Sequence, residues 1–112
     1  MKYTVEEYNN KLLLELEYSQ QKGELTEDLK MLYFDLANDI SKNKERYPFT
    51  NDDNRVFCVV LAYEACVKHA IKFNRHKTDN AYGYVNVIIR GSFAGTLQKL
   101  YKQRKKLYHD NN

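Results

Sequence analysis

Helix-breaking residues are scarce in this chain. Its 112 residues include only four glycines and one proline, Pro48. Inside a helix these two residue types cost about 1 and 3 kcal/mol relative to alanine. Long stretches are therefore free to be helical, and the spacing of apolar residues indicates where each helix lies. We predict an all-α protein, with residues 1–112 forming a single compact four-helix domain.

Two helices are predicted within the first 42 residues, where they would form an acidic helical hairpin. Thr4 with Glu7 three residues later is a capping box, and apolar residues then recur at helical spacing until Gly23 ends the helix. Thr26 caps the second helix. The apolar stripe of this second helix consists of Leu29, Leu32, Tyr33, Leu36 and Ile40.

Two longer helices are predicted in residues 51–108. The third begins near Asn51 or Asp52, after a polar connection that contains Pro48, and it continues to just before Phe73. Apolar residues such as Val56 and Val60 cover more than half of its circumference, so we expect it to be the central and most buried helix. Polar residues 74–80 form a loop, and the fourth helix follows from about residue 81 to about 108.

The fourth helix contains three glycines, Gly83, Gly91 and Gly95. Each costs a helix about 1 kcal/mol relative to alanine. Two explanations remain open at the level of the sequence. The glycines permit close packing against another backbone or a ligand, or the helix is simply weak.

Charge is divided unevenly along the chain. Residues 1–67 hold 8 Lys or Arg against 13 Asp or Glu, whereas residues 68–108 hold 10 Lys or Arg against the single Asp79. A basic half that also carries aromatic residues indicates contact with a polyanion, most commonly nucleic acid. The alternative is a solvated, lysine-rich helix end whose charges merely favour the helix dipole.

Residues suited to catalysis or metal binding are sparse. His69, His76 and His109 are scattered, and no metal-binding spacing is present. Cys58 and Cys66 are eight residues apart in one helix, a rise of roughly 12 Å, which is beyond disulfide reach. We therefore expect reduced, buried cysteines, no cofactor and no enzyme activity.

Neither a signal peptide nor a membrane-spanning segment is expected. The N-terminus lacks a basic segment followed by an apolar one, and no apolar run approaches the ~20 residues that span a bilayer. The expected location is the cytoplasm.

Several segments of the third and fourth helices resemble a known family. The run from Glu64 to Lys68, the Lys72-Phe73 pair, the Tyr84-Val85 pair and the Ile89-Arg90 pair follow one another without a gap. This pattern resembles the conserved second region of bacterial sigma factors, most closely the late sigma-like factors of T-even-type bacteriophages. The likeness covers about residues 55–106.

The resemblance implies a DNA-binding surface that captures the non-template strand of an AT-rich −10 promoter element. Tyr84 matches the aromatic residue that stacks on the flipped-out adenine. Val87 and Ile88 match the wedge pair at the upstream edge of the bubble, which is usually aromatic but is aliphatic in this chain. Tyr84 could instead be a core tyrosine. Together with the basic end of the fourth helix, whose cations could contact phosphates, the predicted DNA-binding residues are Lys72, Arg75, Lys77, Tyr82, Tyr84, Val87, Ile88, Arg90, Lys99, Lys102, Arg104, Lys105 and Lys106.

The resemblance also implies docking of the third helix on the clamp helices of the largest subunit of a multisubunit RNA polymerase. An acidic residue common at this surface is replaced by Leu61, so the contact must rely on other groups, such as exposed charges at Arg55 and Glu64 or the acidic first helices. The predicted polymerase-binding residues are Arg55, Val60, Leu61, Glu64 and Lys68.

Other functional classes remain open. The chain could be a helical nucleic-acid-binding module, perhaps for RNA, that acts without polymerase. It could be a phage adaptor that modulates a host protein through its acidic first helices, or a structural protein. A second phage or host transcription protein could supply upstream promoter contacts, because the sequence contains no helix-turn-helix for them.

Overall fold

The first two helices form the predicted hairpin. In the computed structural model, which describes the backbone of residues 1–110 and the side chains of residues 1–103, α1 spans Val5–Lys22 and α2 spans Glu27–Ser41. Both bonds of the Thr4–Glu7 capping box are present. Gly23 ends α1 with a left-handed backbone at φ 78°, a conformation that glycine adopts without strain.

The second half of the chain contains the other two helices. α3 spans Asp52–His69 and continues into one tight 3₁₀ turn at Ala70–Lys72, and α4 spans Ala81–Asp110. The residues that the structure describes contain four α-helices and no β-strand, which confirms the all-α prediction. α4 is the longest element, at about 45 Å for its 30 residues.

α3 lies between α2 and α4, whereas α1 packs against α2 and α4. The prediction that α3 would be the most buried helix is wrong. Six α2 residues are buried but only four of α3, because Val56 and Val60 face outward. Apolar residues lie around most of the circumference of α3, and the packing of α2 and α4 against it buries only some of them. The largest fully buried side chains are Tyr8, Leu12, Leu16, Leu29, Tyr33, Leu36, Val59, Val85, Ile89 and Phe93.

The cysteines behave as predicted. Cys58 and Cys66 are free and buried in the core. Burial raises the pKa of the Cys66 thiol to about 12, because the charged thiolate would lose its hydration. Reactive cysteines require a lowered pKa and some exposure, so the environment of Cys66 is that of a packing residue.

The connection between α2 and α3 contributes to the core, which its polar composition did not indicate. Tyr47 is buried, and its ring meets Phe93 of α4 edge-on at a centroid distance of 5.1 Å. Phe49 packs against both rings. The connection is therefore held down by aromatic contacts to α4.

Arg55 joins the end of α2 to the start of α3. Its guanidinium donates to the Asn38 side-chain oxygen at 2.7 Å and to the Ser41 hydroxyl at 2.9 Å, and it pairs with Asp52 at 2.9 Å. The side chain is only 21% exposed. The expectation of an exposed charge at Arg55 is therefore wrong, because the helix junction supplies three acceptors for its donors.

The start of α1 is tied to α2 and α4. The Tyr8 hydroxyl donates to Asp39 at 2.5 Å, and burial together with this bond raises the pKa of Tyr8. The neighbouring Asn9 accepts from the backbone N–H of Tyr82 at 2.9 Å and donates to the carbonyl of Asp79 at 3.1 Å. These contacts fix where α4 begins.

None of the helices in the described part of the chain combines the length and apolar character needed to cross a bilayer.

We expect Asn9→Ala to lower the free energy of unfolding by about 1–2 kcal/mol, because it removes two hydrogen bonds that hold the start of α4. Urea denaturation followed by circular dichroism measures the change. Asn9→Asp keeps the acceptor beside the helix N-terminus and should cost less. Asn10→Ala, at an exposed neighbouring position, is the matched control, and an equal loss for Asn10→Ala would contradict the assignment.

Candidate nucleic-acid interface

Tyr84 lies in the first turn of α4, and a local cap orients this turn. The Asn80 side chain accepts from the backbone N–H of Gly83 at 2.9 Å, and the Asn80 carbonyl accepts from that of Tyr84 at 3.2 Å. The first bond satisfies a donor that a helix N-terminus leaves unpaired, and the second is the first regular hydrogen bond of the helix. The first turn is thus fixed from within as well as by Asn9.

The Tyr84 ring is half-buried and packs edge-on against Phe73, with ring centroids 5.4 Å apart. Its hydroxyl donates to the carbonyl of His69 in a long contact of 3.4 Å. Phe73 is itself buried. Tyr84 therefore combines a supported ring with a surface that remains open to solvent.

Exposed cations lie on the chain segments next to this ring. Lys68 precedes His69 at the end of α3, and Lys72 precedes Phe73. Both side chains are exposed, and neither forms an ion pair with another described residue. We refer to Tyr84, Phe73, Lys68 and Lys72 as the tyrosine site.

Arg75 is less available than these lysines. It lies 3.5 Å from carboxylate oxygens of both Glu17 in α1 and Asp79 in the loop. Exposed ion pairs of this kind contribute about 0–1 kcal/mol and exchange readily with other partners. Lys77, in the same loop, is exposed.

A groove of about 640 Å³ separates α1 from the segment that carries Phe73. Gln20 spans its end, with the side-chain amide donating to the carbonyls of Ile71 at 2.9 Å and Phe73 at 2.7 Å. These carbonyls follow α3, where helix geometry leaves acceptors unpaired. Gln20 thereby holds in place the segment against which Tyr84 packs.

Tyr82 does not join the tyrosine site. Its ring is half-buried and lies 6.5 Å from that of Tyr8, on the side of α4 that meets α1. Two residues along a helix correspond to a rotation of about 200°, so Tyr82 and Tyr84 lie on opposite sides of α4. The structure gives Tyr82 a packing role that the sequence did not indicate.

The other predicted DNA-binding residues of α4 are distributed along its length. Val87 is 70% exposed, whereas Ile88 is half-buried against the core, so the predicted wedge pair points in two directions. Arg90 is exposed one turn further on. Lys99 and Lys102 are exposed about 22 and 27 Å beyond Tyr84 along the helix axis. The side chains of Arg104, Lys105 and Lys106 lie outside those that the structure describes.

The predicted polymerase-binding residues divide into two groups. Val60, Glu64 and Lys68 are exposed on the outer side of α3, whereas Leu61 is half-buried. Arg55 is engaged at the α2–α3 junction. The outer side also presents Phe57, which is 50% exposed and which the sequence prediction did not include. The signal for it was the excess of apolar residues around α3.

The outer side of α3 carries three exposed apolar residues within five positions. We call Val56, Phe57 and Val60 the α3 apolar face. Clustered exposed apolar residues of this kind mark contact surfaces for other proteins.

The residues with described side chains include no group of three or more His, Cys, Asp or Glu close enough to hold a metal ion. Comparison with family models, with curated proteins and with solved structures yields no match to this chain. Its function is therefore inferred from the positions of its own side chains. These positions provide a supported aromatic ring, neighbouring cations and a separate apolar face.

The three glycines of α4 have different surroundings, so replacing them by alanine should change the stability of the fold in opposite directions. A Cβ added at Gly83 would overlap the Asn80 side chain that caps the helix, whereas Gly91 and Gly95 face open space. We expect Gly83→Ala to cost up to about 1 kcal/mol through loss of the cap. Gly91→Ala should instead stabilise the fold by about 0.5–1 kcal/mol. Thermal denaturation of both variants measures the difference, and equal effects would contradict the role of Asn80.

Proposed function

We propose that this chain is a sigma-like transcription initiation factor without catalytic activity of its own, which joins a multisubunit RNA polymerase to melted promoter DNA. The observation that carries the proposal is the tyrosine site, where the half-buried Tyr84 ring rests on Phe73 with exposed lysines on the adjoining segments. A supported aromatic ring can stack on an unpaired base for ~1–3 kcal/mol, and nearby cations bind the phosphates.

This arrangement favours opened DNA over duplex. A base in a duplex is stacked on its neighbours, so the Tyr84 ring can contact its face only after the base has left the helix. Melting costs least in AT-rich sequence, which fits capture of non-template bases from a −10-type element. Lys72 and Lys77 would bind the strand near the captured base, and Arg90, Lys99 and Lys102 would contact the backbone further upstream.

The α3 apolar face supports the polymerase contact. Phe57 and Val60 share the outer side of α3 with the exposed Glu64, and an aromatic anchor with a charged rim is typical of protein interfaces. Arg55 takes no direct part in this proposal, since its donors are used at the helix junction. Docking would thus use the outer side of α3, while the start of α4 holds the DNA.

Tyr84→Ala is expected to weaken binding of single-stranded DNA, and open-complex formation with polymerase, by ~1–3 kcal/mol, because it removes the stacking ring. Tyr84→Phe keeps the ring and loses only the long hydroxyl contact, so its binding should be close to that of the wild type. Fluorescence anisotropy with a labelled AT-rich strand measures the affinities, and permanganate footprinting measures opening.

A thermal melt of the same Tyr84→Ala protein separates binding from folding. A core tyrosine cut to alanine would cost ~3–5 kcal/mol of stability. Near-normal melting with impaired capture supports the proposal. A large loss of stability with unchanged capture by the folded fraction would remove Tyr84 from the interface.

Phe57→Asp is expected to weaken association with core RNA polymerase about thirtyfold or more. This is the effect of losing a hot-spot aromatic residue, whose removal costs at least ~2 kcal/mol of binding free energy. Val5→Asp changes a residue of similar exposure on α1 and serves as the control. Copurification with core polymerase and a titration of the two proteins provide the measurement.

If the wild-type chain binds single strands but never copurifies with polymerase, a helical nucleic-acid-binding module replaces the sigma-like function. If it binds neither, an adaptor that modulates a host protein is the better description. If Phe57→Asp and Val5→Asp have the same affinity for core polymerase, the α3 apolar face is not the docking surface.

A further inference from the structure

A pair of carboxylates lies within the basic part of the molecule. Asp79 is the only acidic residue among residues 68–108, and it precedes Tyr84 by five positions. Glu17 of α1 lines the same groove as Asp79, the one of about 640 Å³ beside Phe73. Two negative charges from different parts of the chain are therefore brought together next to the tyrosine site.

Arg75 joins the two carboxylates. Its guanidinium lies 3.5 Å from an oxygen of Glu17 and 3.5 Å from an oxygen of Asp79, and all three side chains are at least half exposed. Within the described side chains of residues 68–103, no other Lys or Arg forms an ion pair. One positive charge faces two negative ones, so the three groups together carry a net charge of −1. We call Glu17, Arg75 and Asp79 the acidic triad.

The backbone on both sides of the acidic triad is held in place. The side chain of Asn9 donates to the carbonyl of Asp79 at 3.1 Å. Glu17 lies one helical turn before Gln20, whose amide holds the segment against which the Tyr84 ring packs. The two carboxylates thus keep a fixed place beside this ring, on the edge of a surface that otherwise attracts phosphates.

Such a fixed negative charge acts differently on duplex and on single-stranded DNA. A duplex carries one charge per about 1.7 Å of its axis, twice the density of one strand, and it is stiff over about 150 base pairs. A duplex lying across the basic surface cannot route its phosphates around the acidic triad. A flexible single strand can direct its phosphates to the exposed Lys68 and Lys72 instead.

We infer that Glu17 and Asp79 are specificity-determining residues, which disfavour duplex DNA at the tyrosine site by repelling its phosphates. The inference rests on the proposed function, in which Tyr84 captures an unpaired base, and adds a repulsive element to that attractive one. Cations alone attract both forms of DNA, and discrimination between two ligands commonly needs such a repulsive contact. Repulsion is screened by salt, whereas stacking on the ring is not a charge interaction.

The test compares one labelled AT-rich strand with its own duplex, by fluorescence anisotropy at an ionic strength of about 0.1 M. The double variant Glu17→Gln, Asp79→Asn should bind the duplex about threefold to tenfold more tightly than the wild type does, because two nearby negative charges are gone. Its affinity for the single strand should change less than about twofold, so the preference for the single strand falls. High salt should bring variant and wild type together.

The double variant Asp28→Asn, Asp35→Asn is the matched control. It also removes two carboxylates, and it breaks the ion pair of Asp35 with Lys2 at 3.0 Å. Both residues line another groove together with Glu15, which is two residues from Glu17 and so projects from the opposite side of α1. This control should keep the wild-type preference for the single strand. Thermal melts check that both double variants are folded, since exposed ion pairs contribute little to stability.

The outcomes separate this inference from the proposed function. If the wild type prefers the single strand, Tyr84→Ala loses that preference and Glu17→Gln, Asp79→Asn retains it in full, only the inference is overturned. An equal gain for strand and duplex in that double variant would also overturn it, because the carboxylates would then repel all DNA alike. A wild-type chain without any preference for the single strand would overturn both the inference and the proposed function.

Discussion

The start of α4, and with it the tyrosine site, is tied to α1 through the side chain of Asn9. This residue accepts from the backbone N–H of Tyr82 and donates to the carbonyl of Asp79, so it holds the last loop residues and the first helical turn together. The donor it satisfies is one that any helix leaves unpaired at its N-terminus. Tyr84 follows two residues later, so the turn that carries its ring is tied to α1, where Asn9 lies 73 positions before Tyr82 in the sequence.

The first turn of α4 has one side that packs against the core and one side that faces solvent. Tyr82 packs inward against Tyr8, which is itself anchored to Asp39 of α2. Tyr84 faces Phe73 and solvent. The inward tyrosine stabilises the turn from which the outward tyrosine projects, so the ring proposed to capture a base starts from a backbone that is already ordered. Such preorganisation lowers the entropy that a binding site loses when its ligand arrives.

The fold could be predicted wherever its signals are local. The Thr4–Glu7 capping box and the terminating Gly23 act within one turn, and both are present as expected. Features that depend on distant neighbours were missed. Arg55 is held by acceptors from α2, and Tyr47 enters the core from a polar segment, because Phe93 offers an aromatic surface there. The same limit applies to the candidate site. Tyr84 could be assigned to the start of the fourth helix. The exposed side of α3 could not be predicted, because apolar residues surround so much of α3 that their spacing does not indicate which of them its neighbours bury.

Because α4 is one continuous helix, the distance between residues at its two ends is fixed. An α-helix rises about 1.5 Å per residue, so the Cα atoms of Tyr84 and Lys102 are held about 27 Å apart along one rigid axis. Along B-form DNA, with its spacing of about 3.4 Å per base pair, this corresponds to about eight base pairs. Under the proposed function, the helix would set the distance between the point of strand opening and the backbone contact of Lys102. Adding one residue to it would change both the reach, by about 1.5 Å, and the direction of the distal lysines, by about 100°.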